Sequence, residues 1–134
     1  MQEIITISTA KKQELIDIHN EVASIVKKSE VKEGLCSVFA MHATAAIIIN
    51  ENADPNICLD LLDALDKLVE EGAWRHDNID GNAASHIKAT ILGPSETIPV
   101  KDSKLQLGTW QSPMFVELDG PRSSREIIVQ VIGD

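Results

Sequence analysis

The chain has 134 residues, 43% of them apolar and 25% charged, with seven glycines and five prolines, which is the make-up of one globular domain over residues 1–134 and excludes collagen-like, mucin-like and disordered classes. Twelve Lys and Arg against 21 Asp and Glu leave a net charge of −9, and two Trp, two Phe and no Tyr supply no stacking platform, so nucleic acid is not an expected partner. A chain of this length buries roughly two-thirds of its unfolded surface, so a core forms without disulfide staples.

The start of the sequence carries Glu3 and neither a basic leader nor a long apolar run, so no signal peptide is expected. The longest unbroken apolar stretch, Ala45 to Ile49, is far short of the roughly 20 residues that span a bilayer. A cytosolic protein without a membrane partner is the expectation. Cys36 and Cys58 have no metal-type spacing and read as reduced core thiols.

Residues 2–18 hold two β-prone runs, Ile4–Ile7 and the cluster after Lys12, and read as a two-strand hairpin. Ile18, Val22, Ile25 and Val26 then recur at helical spacing, predicting a helix near 18–29 with Asp17 as its cap. LCSVFAM and AAIIINE are strand-length apolar runs with the HAT segment between them. The next helix, over residues 56–71, presents a face of Leu61, Leu62, Leu65, Leu68 and Val69, is capped by Asp54 or Asn56, and stops at Gly72. RHDNIDGNA reads as a loop, and ASHIKATIL as a short helix stopped by Gly93 and Pro94. ETIPV, KLQLGTW, PMFVELDG and REIIVQVIG are β-prone runs between turns and suggest an antiparallel meander. The fold class is α+β, with largely antiparallel sheets forming a compact sandwich and two or three packed helices.

Three histidines stand in polar surroundings: His42 at a strand end, His76 in a Trp-Arg-His loop and His86 near a helix start. Three imidazoles satisfy zinc and leave a fourth position open, although intervals of 34 and 10 residues match no short metal motif and scattered histidines fit equally. Asn50, Glu51, Asn52 and Asp54 follow an apolar strand, where loops carry function, yet Asp54 before Pro55 also serves as a helix cap. Gly108–Gln111 and Asp119–Arg122 are turn clusters with donor-rich side chains. A packed Trp110 and a surface Arg122 are their plain structural roles.

Taken in order, MHATAAIIINENADP, WRH, ASHIKATILG, TIPV, LQLGTWQ and SREIIVQVIG resemble the YjbQ family, also labelled secondary thiamine-phosphate synthase, over most of the chain from residue 34 onward. The resemblance marks His42, Thr44, Asn50, Glu51 and Asp54, then His76, His86 and Lys88, then Gly108, Thr109, Trp110 and Gln111, with Asp119 to Arg122 matching less closely. It implies a compact α+β protein that assembles as a homotrimer with polar pockets near the subunit contacts. It also implies the joining of a pyrimidine diphosphate to a thiazole phosphate, with pyrophosphate leaving. His42, His76 and His86 would then hold a divalent metal, zinc before magnesium, or donate protons. Asn50, Asp54, Arg75, Lys88, Thr109, Gln111 and Arg122 would bind a phosphorylated or otherwise anionic small molecule. Two alternatives stand beside this reading. One is a metal-dependent hydrolase with Glu51 as base; the other is a trimeric ligand-binding protein without turnover.

Overall fold

Alternation of side chains builds the larger sheet. In β3 (Glu33–Ala40), Cys36, Val38 and Ala40 are buried, while Leu35 and Phe39 face outward; in β8 (Arg125–Gly133), Ile127, Val129 and Val131 repeat the pattern. The computed structural model describes residues 1–134 and joins these two strands with β1 (Gln2–Ile7), β5 (Ser95–Lys101) and β6 (Lys104–Leu105) in the order β1-β8-β3-β5-β6. A second sheet has the order β2-β7-β4, from β2 (Glu14–Asp17), β4 (Ala45–Asn50) and β7 (Ser112–Glu117). Every pairing is antiparallel.

Helix α1 (His19–Ser29) places Val22, Ile25 and Val26 in the core between the sheets, against Val38, Ile47, Phe115 and Ile127. On the other side of the small sheet, Leu62 of α2 (Pro55–Leu68) and Ala89 of α3 (Ala83–Leu92) meet Ala46, Val116 and Leu118 in a second cluster. The α+β sandwich with three packed helices therefore stands. No helix is long and apolar enough to cross a membrane.

Local expectations hold for α1, α3, β3 and β4 and fail where pairing is non-local. The 2–18 segment is not a hairpin, because Ser8–Gln13 carries the chain from one sheet to the other, so that β1 pairs with β8 and β2 with β7. Thr9 anchors this crossing by donating to the buried Glu117 carboxylate, 2.9 Å away. Nor do the C-terminal strands form a meander. Only β5 and β6 are a hairpin, closed by Asp102 and Ser103 at positive φ. Residues 113–118 are buried throughout, so β7 lies at the centre of the small sheet, whereas alternating β8 returns to an interior position of the large one, between β1 and β3. Most of LQLGTWQ is loop, and RHDN within the expected loop forms one 3-10 turn, Arg75–Asn78.

Asp54 caps α2, its carboxylate accepting from Asn56 N–H at 2.9 Å, with Pro55 opening the first turn. Ile18 occupies the cap position of α1, while Asp17 accepts from His19 N–H at 2.7 Å. The buried stripe of α2 is Leu62, Leu65 and then Val69 just past its end; Leu68, expected in it, is 75% exposed. The helix stops at Leu68, before Gly72, because Val69 turns to extended backbone to bury its side chain. Leu65→Ala is therefore expected to cost about 2–5 kcal/mol in a denaturant titration, and Leu68→Ala no more than about 0.5 kcal/mol. Equal losses would contradict this orientation of the helix.

Candidate functional site

Where β7 and β8 meet below the β3–β4 loop, a charged residue stands at an inward position of each strand. Arg125 and Glu117 are 4% and 0% exposed in their side chains and form a bidentate pair. Further hydrogen bonds hold the pair: Glu117 also accepts from Thr9 Oγ1 and, at 2.9 Å, from Asp119 N–H, while Arg125 Nη2 donates to Thr44 Oγ1 at 3.0 Å. Burial alone would raise the Glu117 carboxyl, but the hydrogen bonds from Arg125, Asp119 N–H and Thr9 outweigh it and hold it below the usual range.

The residue after Arg125 fixes His42. Glu126 N–H donates to His42 Nε2 at 2.8 Å, so the neutral ring carries its proton on Nδ1. Desolvation and the nearby Arg125 charge lower the His42 pKa, against smaller opposing effects of Glu117 and Glu126. Protonating Nε2 would also break the bond from Glu126. The ring borders two cavities. One, of about 500 Å³, is walled by Phe39, Met41, Pro94 and Ile128; the other, of about 230 Å³, is shared with His86, Ala89 and Thr90 of α3.

His76 meets His86 edge to face, with ring centroids 4.9 Å apart, and its Nε2 is buried without a hydrogen-bond partner, lying 3.6 Å from Asp80 Oδ2. The 3-10 turn is held in place by Asp77, which accepts from Trp74 N–H and Ala83 N–H. Beside the cavities, Asp119 takes Lys12 at 2.6 Å, Asn82 at 2.9 Å and Arg122 at 3.0 Å. Its carboxyl lies below the usual range because these partners overcome desolvation. Gly120 is required in this turn, since a Cβ there would stand 2.2 Å from the Lys11 carbonyl oxygen.

The structure thus brings His42, His86 and His76 into one row, with Arg122 and the exposed Arg75 nearby. Zinc would need lone pairs from all three rings at one point. Nε2 of His42 is already an acceptor for Glu126, its Nδ1 carries the proton, and no group of three His, Cys, Asp or Glu side chains is disposed to hold a metal ion. A metal at His42 Nε2 would displace the bond from Glu126 N–H.

Other expected site residues lie elsewhere. Lys88 is 1% exposed and is spent within the chain, its Nζ 2.6 Å from Asp66 and 2.9 Å from Gln13. Asn50 ends β4 and Glu51 follows it, at the far end of a strand about 16 Å long at roughly 3.3 Å per residue. There they meet the Gly108–Gln111 turn, because Asn50 pairs with Ser112. Asp17 ties this second cluster by accepting from Asn52 and Ser112 at 2.6 and 2.8 Å, and it lies below its ordinary pKa because these bonds and that from His19 N–H overcome desolvation. Thr109 and Gln111 are exposed; Trp110, expected in the core, is 66% exposed, because its turn projects beyond β7 instead of folding under it.

Arg125 and Glu117 were missed by reading the sequence for polar clusters. Their signal was the reverse: a lone charge at an inward position of an otherwise apolar strand. A group whose folded pKa is depressed stabilises fully above its unfolded pKa and loses that contribution as pH falls through the folded one. His42 is therefore expected to titrate below its ordinary value of 6.5, and the parent chain to lose stability below that pH. His42→Gln, which keeps an acceptor for Glu126 N–H, should remove that part of the pH dependence. Proton NMR of the ring reads the first and thermal melts at several pH values the second; titration of His42 at or above 6.5 would contradict the buried acceptor.

Comparison with known proteins follows the same outline. A family described as UPF0047 protein YjbQ-like matches residues 3–134. A UPF0047 protein of Methanocaldococcus jannaschii is 44% identical over 128 residues, covering 96% of this chain and 91% of its own. YugU of Bacillus subtilis is 36% identical over 136 residues, covering 99% and 100%. Among solved structures, a YbjQ-like protein of unknown function from Sulfolobus solfataricus superposes with a TM-score of 0.97 at 43% identity, covering 100% of this chain and 97% of that one. A hypothetical protein from Aeropyrum pernix gives 0.95 at 34% identity, covering 100% and 99%. With a match over nearly its whole length and the same fold throughout, the chain belongs to the UPF0047/YjbQ family.

Proposed function

We propose that the chain is an enzyme acting on a phosphorylated heterocycle, with transfer of the thiamine-phosphate synthase kind as a reaction it supports. The observation that carries the reading is the fixed state of His42: neutral, locked by Glu126 N–H with its remaining nitrogen a donor, and sharing a cavity with His86. When pyrophosphate departs from a pyrimidine diphosphate, negative charge grows on the bridging oxygen, and oriented donors in a partly desolvated pocket stabilise that growth. His42 Nδ1–H supplies one such donor, His86 a second, and Arg122 and Arg75 supply positive charge for the phosphates. The thiazole nitrogen then forms the new bond to the pyrimidine methylene carbon as the carbon–oxygen bond breaks.

The metal-dependent hydrolase requires His42 to release Glu126 N–H and Glu51 to act from beyond β4. The outer face of the large sheet favours self-association: Ile4, Leu35, Phe39 and Ile132 stand exposed on it, and a sheet face open to water is ordinarily polar. A homotrimer is accordingly part of the proposal.

Incubation with the pyrimidine diphosphate and the thiazole phosphate should release pyrophosphate, and His42→Gln, which keeps an acceptor for Glu126 N–H, or His86→Ala should slow this by roughly 10²–10⁴-fold. Release of a dephosphorylated substrate would favour the hydrolase, especially if zinc calorimetry shows binding that His42→Ala abolishes. Binding without turnover would favour the non-catalytic reading. Light scattering should give three times the chain mass at micromolar concentration; a monomer mass would remove the trimer.

A further inference from the structure

We propose that Asp80 is a positioning residue: its carboxylate fixes the ring of His76, and His76 in turn holds His86 in the orientation in which it borders the cavity shared with His42. The inference deepens the reading of that cavity as the site and rests on it.

The two histidines of the cavity are held in different ways. His42 is anchored by the bond from Glu126 N–H. The ring of His86 has no hydrogen-bonded anchor of that kind and rests edge to face against His76, with centroids 4.9 Å apart and planes at 83°. Such a contact is directional, because the positive edge of one ring is drawn to the negative face of the other. The orientation of His86 is therefore only as well defined as that of His76.

The backbone fixes where His76 stands and leaves its ring to Asp80. Asp77 ties the 3-10 turn to α3 by accepting from Trp74 N–H at 3.1 Å and from Ala83 N–H at 3.0 Å, so both histidines belong to one braced unit. Ile79 N–H and Asp80 N–H donate to the His76 carbonyl at 2.9 and 3.3 Å, which folds the chain back and sets Asp80 one turn beyond the ring. Although the His76 side chain is 40% exposed, its Nε2 is buried and has no hydrogen-bond partner. A buried polar atom left unpaired is costly, so the group placed to pair with it is informative. The one carboxylate within ion-pair reach is that of Asp80, 3.6 Å away, 60% exposed and bound to nothing else in the chain. A small rotation of Asp80 closes this distance to a hydrogen bond, and bonds at reacting sites commonly tighten in this way when a ligand is bound. A carboxylate only accepts, so Nε2 of a neutral His76 carries the proton and Nδ1 keeps the lone pair. The carboxylate thus sets tautomer and ring orientation together, as an aspartate does behind a catalytic imidazole.

Long-range proton–nitrogen NMR at about pH 8.5, two units above the ordinary histidine value, reads the tautomer of each ring without any substrate. In the parent His76 should carry its proton on Nε2. Asp80→Ala should turn this into a mixture of tautomers and displace the ring resonances of His86, and Asp80→Asn, which keeps an acceptor, should restore both. Asp80 is exposed, so its replacement leaves the core and the melting temperature as they are. In the pyrophosphate-release assay Asp80→Ala should lower kcat roughly tenfold at unchanged KM, with Asp80→Asn within about twofold of the parent, because the loss is one of orientation and not of binding. A His76 proton on Nδ1 in the parent overturns the proposal before any variant is made. So do His86 resonances that ignore Asp80→Ala, or an active parent whose kcat is unchanged by it. The expected tautomer and its loss in Asp80→Ala, found in a parent without turnover, uphold the positioning and remove the activity.

Discussion

The buried pair of Arg125 and Glu117 is the constraint on which the rest of the site depends. It joins the central strand of the small sheet to an interior strand of the large one, and Thr9 from the crossing segment, Thr44 from the loop before β4, and the N–H of Asp119 add further hydrogen bonds to it. Two charges in such a place are costly to desolvate, and the bidentate contact with these added hydrogen bonds offsets that cost. Any hydrophobic pair of equal volume could hold the sheets together. None would also fix the register of three loops at once.

His42 inherits its state from this arrangement. Arg125 sets the start of β8, and the next residue, Glu126, presents its N–H to the imidazole. The same guanidinium opposes a positive charge on the ring. Position, tautomer and protonation state thus share one origin, and all three are established by the backbone and a buried charge pair before a ligand is considered. Lys88 shows the contrasting case: an amine that could have served a phosphate is instead enclosed by Asp66 and Gln13, where it pins α3 to α2 and to the segment before β2.

Legibility in the sequence followed the range of the interaction. Asp54 before Pro55, the apolar spacing of α1 and the Gly93 stop of α3 are settled within a few residues, and each is found where local chemistry puts it. Leu68 was misassigned because the stripe Leu62, Leu65 and Val69 and the stripe through Leu61 and Leu68 have equal periodicity, and only the second layer of structure chooses between them. Trp110 was assigned to the core on its residue type, yet its place beyond a strand end leaves nothing above it.

By itself the sequence determined the class of fold, the existence of most elements, the interest of His42, His76 and His86, and the family to which the chain belongs, because periodicity, caps and motif order are properties of neighbouring residues. Tertiary structure alone decided which strands pair, that His86 lies between the other two histidines, that Glu51 and Gln111 gather at the far end of β4, and that Arg125 and Glu117 meet. Those are contacts between residues distant in the chain. Antiparallel strands of similar composition satisfy many pairings locally, and only the simultaneous burial of both sheet faces and of one charged pair selects among them.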